Sequence, residues 1–301
     1  MIRISEPSGC SAQIDPSCGG TVRQIRLPED VLYDPERSSG CDTAFFAGRV
    51  LLPFADRISN GRYRWRGTDY TLPLNDPEMG DAIHGFLYRT ALKVESRAAD
   101  RLTLRGELSA EQGYPWPLTV KISYRVAAAT FFIAVEAQNR GASCAPFTAG
   151  WHPYFDFGRE AELQIRASRF IEADDALRVT GRRPFVDGTR YDFRRRRPIG
   201  EDPLDVAVEL DDAHEHSVVL TDSRRSLTIT PTGVFSRIQI FTPPGDRGIA
   251  LEPVSAPGAA FNDPPLGVTE LEPGASVTGS VAIRCEPRRV PPGPPPPPRW
   301  R

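Results

Sequence analysis

Two histidines and a glutamate stand in phrases whose neighbours could aim them into a common cleft. The phrases are Ile83-His84-Gly85-Phe86, Gly150-Trp151-His152-Pro153-Tyr154-Phe155 and Ala250-Leu251-Glu252-Pro253. A carboxylate and an imidazole can serve as general base and general acid, and a positioned proton transfer typically contributes ~10²–10⁴-fold. Glu252 lies in an alternating stretch: on a strand, Ile249 and Leu251 fall on one face and Ala250 and Glu252 on the other. Its carboxylate can therefore enter a cleft while its neighbours bury. His152 is bracketed by Trp151 and Tyr154-Phe155, an aromatic setting that dehydrates an imidazole. Gly85, beside His84, allows close approach of backbone to ligand. Arg57, in Phe54-Ala55-Asp56-Arg57-Ile58, offers a forked donor. Read one at a time, each residue also has a plain structural reading: a strand-end glutamate, a satisfied semi-buried histidine, a loop histidine.

In combination, the His152-Pro153-Tyr154-Phe155 phrase and the Leu251-Glu252-Pro253 phrase followed by Ala260-Phe261-Asn262 resemble the aldose 1-epimerase (galactose mutarotase-like) family, over about residues 10–286. The resemblance implies an all-β fold, a large antiparallel β-sandwich, and a reaction that interconverts the α and β anomers of an aldose by opening its ring. It implies that Glu252 is the general base, that His152 is the general acid toward the ring oxygen, and that His84 binds near that oxygen. Arg57 and Asp205 would hold other hydroxyls, with Asp202, Asp211 and Asp212 as competitors for the place of Asp205. Asn75 is an extra candidate for the cleft. The family usually has Asn-Arg-Ile where this chain has Asp56-Arg57-Ile58. Two other readings stay open: a carbohydrate-binding protein without catalysis, and a sugar-phosphate 1-epimerase using Arg89 or the Arg194–Arg197 run. A glycoside hydrolase ranks lower, because it normally needs two carboxylates at a set separation.

This proton-transfer chemistry requires no metal, nucleotide or redox cofactor, and neither a P-loop nor a G-x-G-x-x-G after a strand is visible. His214-Glu215-His216 could pair on a strand face as zinc ligands, but no third ligand stands at a suggestive spacing; a solvated turn is the expectation. The net charge of −2 argues against nucleic acid or an anionic membrane as partner. A small-molecule sugar is the expected partner, and the chain is expected to be a monomer or homodimer. No run of 18 apolar residues and no secretory leader is visible. The five cysteines, Cys10, Cys18, Cys41, Cys144 and Cys285, form no C-x-x-C pair. They read as reduced, small apolar residues of a cytoplasmic protein, with a Cys10–Cys18 disulfide as a minor alternative.

The elements that must position the site read as strands. Leu118, Val120, Ile122, Tyr124 and Val126 alternate with Thr119, Lys121, Ser123 and Arg125. The same pattern recurs at Leu102–Leu104, Ile133–Ala137, Leu227–Ile229, Ile238–Ile240, Ile249–Leu251 and Val277–Ile283. Convincing helical periodicity is scarce. Residues 1–288 read as one β-sandwich domain. Residues 289–301, Pro-rich and without apolar period, read as a polyproline or disordered tail.

Overall fold

A computed structural model describes residues 1–27, 29–35, 40–41, 45–211, 218–245 and 248–288. The Pro-rich tail and His214-Glu215-His216 lie outside the described residues. Among the described residues the elements are β-strands and short 3-10 turns, with no α-helix.

Two antiparallel sheets dominate. The larger has nine strands in the spatial order Arg197–Pro198, Glu162–Ile165, Val218–Thr221, Arg225–Gly233, Ser276–Pro287, Thr130–Asn139, Leu118–Ala127, Arg101–Leu108 and Lys93–Arg97. The alternation read from the sequence is seen directly in Leu118–Ala127, where every second residue from Leu118 to Val126 is buried. The smaller sheet runs Ala167–Phe170, Asp205–Leu210, Arg237–Phe241, Ile249–Val254, Gly150–Trp151 and Val50–Leu51, with Tyr154–Phe155 pairing off Ile249–Val254. Side chains of both sheets meet in one cluster of buried apolar residues that spans Ile4 to Cys285. Phe131 of the large sheet and Trp151 of the small one stand with rings 6.0 Å apart inside it. Face-to-face sheets sharing a core make the sandwich expected. A third sheet, Ile2–Ser5, Ser11–Asp15 and Thr21–Arg26, was not foreseen; its strands are short and their alternation is weak.

The cysteine expectation needs correction. Cys18 is bonded to Cys41, with Cα atoms 5.2 Å apart, while Cys10, Cys144 and Cys285 are free and buried. Spacing could not indicate this pair, because tertiary contacts bring it together. The buried Arg49 guanidinium donates to the carbonyls of Gly40 (2.7 Å) and Cys41 (2.9 Å) and to the Thr21 hydroxyl (3.0 Å). That arginine draws residues 40–41 onto the turn that ends at Cys18.

Candidate active site

Register on the smaller sheet assembles the site. Asp205 pairs with Phe241, Ala207 with Gln239, and Gln239 with Glu252. Directly paired residues of antiparallel strands share a face, so Asp205, Gln239, Phe241 and Glu252 project together. The opposite face carries Val206, Val208, Ile238, Ile240, Ile249 and Leu251 into the shared core. The period-2 pattern thus decides which side chains reach the cleft. Tyr154, paired with Ala250, joins the same face. These residues line a cleft together with Phe45, Phe46, Asp56, Arg57, His84 and His152.

His152 Nε2 stands 3.4 Å from Glu252 Oε1, with both residues buried. The His152 ring stacks on Tyr154 at 5.0 Å and meets His84 edge to face at 5.2 Å. Burial drives the His152 imidazole down to about 3, with the Arg57 charge acting in the same direction. Burial holds the Glu252 carboxyl well above its usual range; Asp56 and Asp205 add to that, and Arg57 opposes it. Burial thus favours the neutral form of each group, and of the two the Glu252 carboxyl is the one whose proton affinity is raised.

His84 is locked by its main chain. It sits at φ 61°, in the left-handed region, and Gly85 follows at φ 68°. A Cβ on Gly85 would lie 2.0 Å from the Leu52 carbonyl oxygen. That carbonyl accepts from the N–H groups of Phe86 (2.7 Å) and Leu87 (3.1 Å). Gly85 therefore permits close approach of backbone to backbone, not of backbone to ligand as its sequence context suggested. Burial, with His152 and Arg57 nearby, holds the His84 imidazole well below its ordinary value.

Arg57 and Asp205 both reach the cleft. Arg57 Nε donates to Asp76 at 3.1 Å, and Nη1 lies 3.6 Å from Asp56. Although burial works against the Arg57 charge, Asp56, Asp205 and Asp76 together raise its pKa. Asp205 accepts from Gln239 Nε2 at 2.5 Å. Burial, reinforced by Asp56, pushes the Asp205 carboxyl up to about 6. Its rival Asp211 is occupied elsewhere, accepting from the Ser168 N–H (2.7 Å) and hydroxyl (2.9 Å). Asp202 does not line the cleft, and Asp212 lies outside the described residues.

Asn75 is the misplaced candidate. It is absent from the cleft wall. Its side chain accepts from the Ile83 N–H (2.7 Å) and donates to the Ile83 carbonyl (2.9 Å) and the Tyr88 hydroxyl (3.2 Å). It fixes the strand leading into His84, so its role is to position the site. Among the lining residues that sequence reasoning missed are Asp56, Gln239 and Phe46. Gln239 had a visible signal, a polar residue between Ile238 and Ile240 in a strand pattern. Phe46 had none; its ring stands 4.7 Å from His84 through tertiary packing alone.

A family model described as aldose 1-epimerase matches residues 1–284. The uncharacterized protein YihR of Escherichia coli (strain K12) is 29% identical over 225 residues, 71% of each chain. The galactose mutarotase of Homo sapiens is 26% identical over 253 residues, covering 69% of this chain and 70% of that protein. In fold, the GalM/aldose epimerase homologue from C. elegans superposes with a TM-score of 0.85 at 19% identity, over 96% of this chain and 99% of the other. A putative aldose 1-epimerase from Escherichia coli K12 does so with a TM-score of 0.81 at 21% identity, over 95% and 98%. The chain belongs to the aldose 1-epimerase family.

Proposed function

We propose that the protein is an isomerase that interconverts the α and β anomers of an unphosphorylated aldohexose. The observation that carries this reading is the buried His152–Glu252 pair, 3.4 Å apart on the cleft wall of a chain of this family. In this reading the pair shares one proton. Shifting it from Glu252 to His152 gives a carboxylate and an imidazolium with no net gain or loss. Glu252 then takes the proton of the C1 hydroxyl while His152 delivers its proton to the ring oxygen, and the C1–O5 bond breaks. The open aldehyde turns about C1–C2. On reclosure Glu252 returns a proton to the carbonyl oxygen and His152 takes back the one on O5. His84 holds the ring oxygen, while Arg57 and Asp205 hold the remaining hydroxyls.

The arginines that a phosphate reading would need support it poorly. Arg89 lies over the Phe86 and Tyr88 rings, and Arg194 is paired with Asp187 and Asp192. Arg57 is the arginine among the described lining residues. Polarimetry on freshly dissolved α-glucose, α-galactose and their 6-phosphates tests the reading. Accelerated decay of rotation for the free sugars is expected. Binding of sugar without acceleration would leave a non-catalytic carbohydrate-binding protein instead.

A further inference from the structure

Arg57 stands on a strand of two residues, Arg57–Ile58, which pairs with Ala82–Ile83. So short an element fixes the backbone and leaves the long side chain its rotamers, a freedom that is lost when the side chain binds. Two carboxylates flank the guanidinium on the side away from Glu252. Asp56 is occupied: it accepts from the N–H groups of Arg57 (2.8 Å) and Gly258 (2.9 Å), and it stands 3.6 Å from Nη1, beyond hydrogen-bond reach. Asp76 Oδ2 accepts directly from Nε at 3.1 Å. Asp76 does not itself line the cleft. A bond at Nε uses the donor nearest the chain and leaves the Nη donors at the tip for a ligand.

The placement of Asp76 is fixed from several directions. Its N–H donates to the Asp81 carbonyl (3.1 Å), and the N–H groups of Gly80 (2.8 Å) and Asp81 (3.2 Å) donate to its own carbonyl. Its Oδ1 accepts from the Met79 N–H at 3.3 Å, which leaves Oδ2 to Arg57. Buried Asp81 accepts from the Asn60 N–H at 2.8 Å and ties this turn to the residues just after Arg57–Ile58. Asn75, the preceding residue, grips Ile83 through both ends of its amide. Neighbouring residues of one hairpin therefore hold the approach to His84 and the guanidinium of Arg57. A competing carboxylate makes that grip necessary. Asp205 lines the same cleft and attracts the Arg57 charge. An arginine laid on Asp205 would spend on the protein the donors that the cleft has to present.

We propose that Asp76 is a positioning residue, holding Arg57 by Nε so that the Nη donors face the sugar hydroxyls instead of Asp205. This rests on the reading of the cleft as an aldose site. The test measures kcat and KM for mutarotation of α-glucose in the native protein, Asp76→Ala and Asp76→Asn, and repeats Asp76→Ala in an Arg57→Met background. Asp76→Ala should raise KM roughly tenfold, the effect of losing one charge-assisted hydrogen bond, with kcat within about twofold. Asp76→Asn keeps an acceptor for Nε and should recover most of the native KM. In Arg57→Met, Asp76→Ala should change KM no further, because the residue acts through Arg57. A native KM in Asp76→Ala overturns the proposal, as does a KM loss that persists in Arg57→Met. Equal losses in Asp76→Ala and Asp76→Asn, with lower melting temperatures and kcat falling together with KM, overturn it too and leave Asp76 only the hairpin to hold. If no sugar is turned over, the reading of the cleft fails, and the Arg57 Nε–H nuclear magnetic resonance signal, identified by its absence in Arg57→Met, decides about Asp76. That proton should exchange slowly with solvent in the native protein and fast in Asp76→Ala; equal exchange refutes the grip.

Discussion

The main-chain N–H of Asp56 donates to Nδ1 of His84 at 3.2 Å, and the N–H of His84 returns a hydrogen bond to the Asp56 carbonyl at 3.1 Å. Both residues occupy the left-handed region, at φ 58° and 61°. Because Nδ1 accepts, a neutral His84 carries its proton on Nε2. Burial keeps the ring neutral, so the cleft receives a hydrogen-bond donor without a charge. His84→Asn should fold, since asparagine tolerates this conformation. Lacking the Nε2 donor, it should lose roughly tenfold to a hundredfold in kcat/KM, about the worth of one or two kcal/mol. His84→Val should instead melt several degrees lower, because a β-branched residue is strained at φ 61°. An active His84→Asn at the native rate would remove His84 from sugar binding.

The His152–Glu252 pair should behave as one unit. Glu252→Gln and His152→Asn should each lower kcat by ~10²–10⁴-fold with the fold intact. Since one proton-transfer event uses both groups, the double variant should cost far less than the product of the two losses. Polarimetric rates of the three purified variants, with circular dichroism as a check, give the answer. Multiplicative losses would mean that the groups act independently.

Stability should record the same pair with a definite sign. Glu252 has a raised pKa in the fold, so its contribution is fully present below the unfolded value and is lost as pH rises through the folded value. Glu252→Gln has no charge to bury. Its melting temperature should match the native protein near pH 4 and exceed it increasingly toward alkaline pH. A gap that narrows as pH rises would contradict the raised carboxyl.

Much of the fold was legible because strand alternation is a local signal. Leu118–Val126 and Ile249–Leu251 appear in the sequence with the faces they have in the structure. Glu252, His152, His84, Arg57 and Asp205 converge as the family phrases implied. What was illegible depends on long-range contact. The Cys18–Cys41 bond joins positions 23 residues apart, beside the hydrogen bonds of Arg49 to the carbonyls of Gly40 and Cys41. Phe46 reaches His84 through packing alone. Asn75 looked like a cleft residue because it stands near His84 in sequence, yet Ile83 occupies both ends of its amide.

Gly85 gives a test of the scaffold. A methyl group there would meet the Leu52 carbonyl oxygen at 2.0 Å, and the residue would be strained at φ 68° as well. Gly85→Ala must therefore separate two main-chain segments, one of which carries His84. We expect a stability loss of at least ~2 kcal/mol and a lower kcat through the displaced imidazole. Thermal melts and mutarotation rates would measure both. A variant with unchanged stability would show that the Leu52–Gly85 contact is not close.

Asp56 offers the sharpest separation of the two titrating groups. The reactive form of the pair is its one-proton state, so activity should fall in acid as a second proton binds and in alkali as the last one leaves. The acid limb follows His152, which burial sets at about 3. The alkaline limb follows Glu252, which burial, then Asp56 and Asp205, raise. Asp56 is not among the causes of the His152 shift. Asp56→Asn removes a negative charge facing Glu252, so the carboxyl should ionise more easily. The alkaline limb of kcat/KM should move to lower pH while the acid limb stays in place. The Asp56 carboxylate also accepts from the Gly258 N–H at 2.9 Å. Losing that bond should cost about 1 kcal/mol of stability without moving either limb. A pH–rate profile of the variant, fitted against the native one, decides the assignment. If both limbs moved together, or neither moved, the alkaline limb would not belong to Glu252 under the field of Asp56.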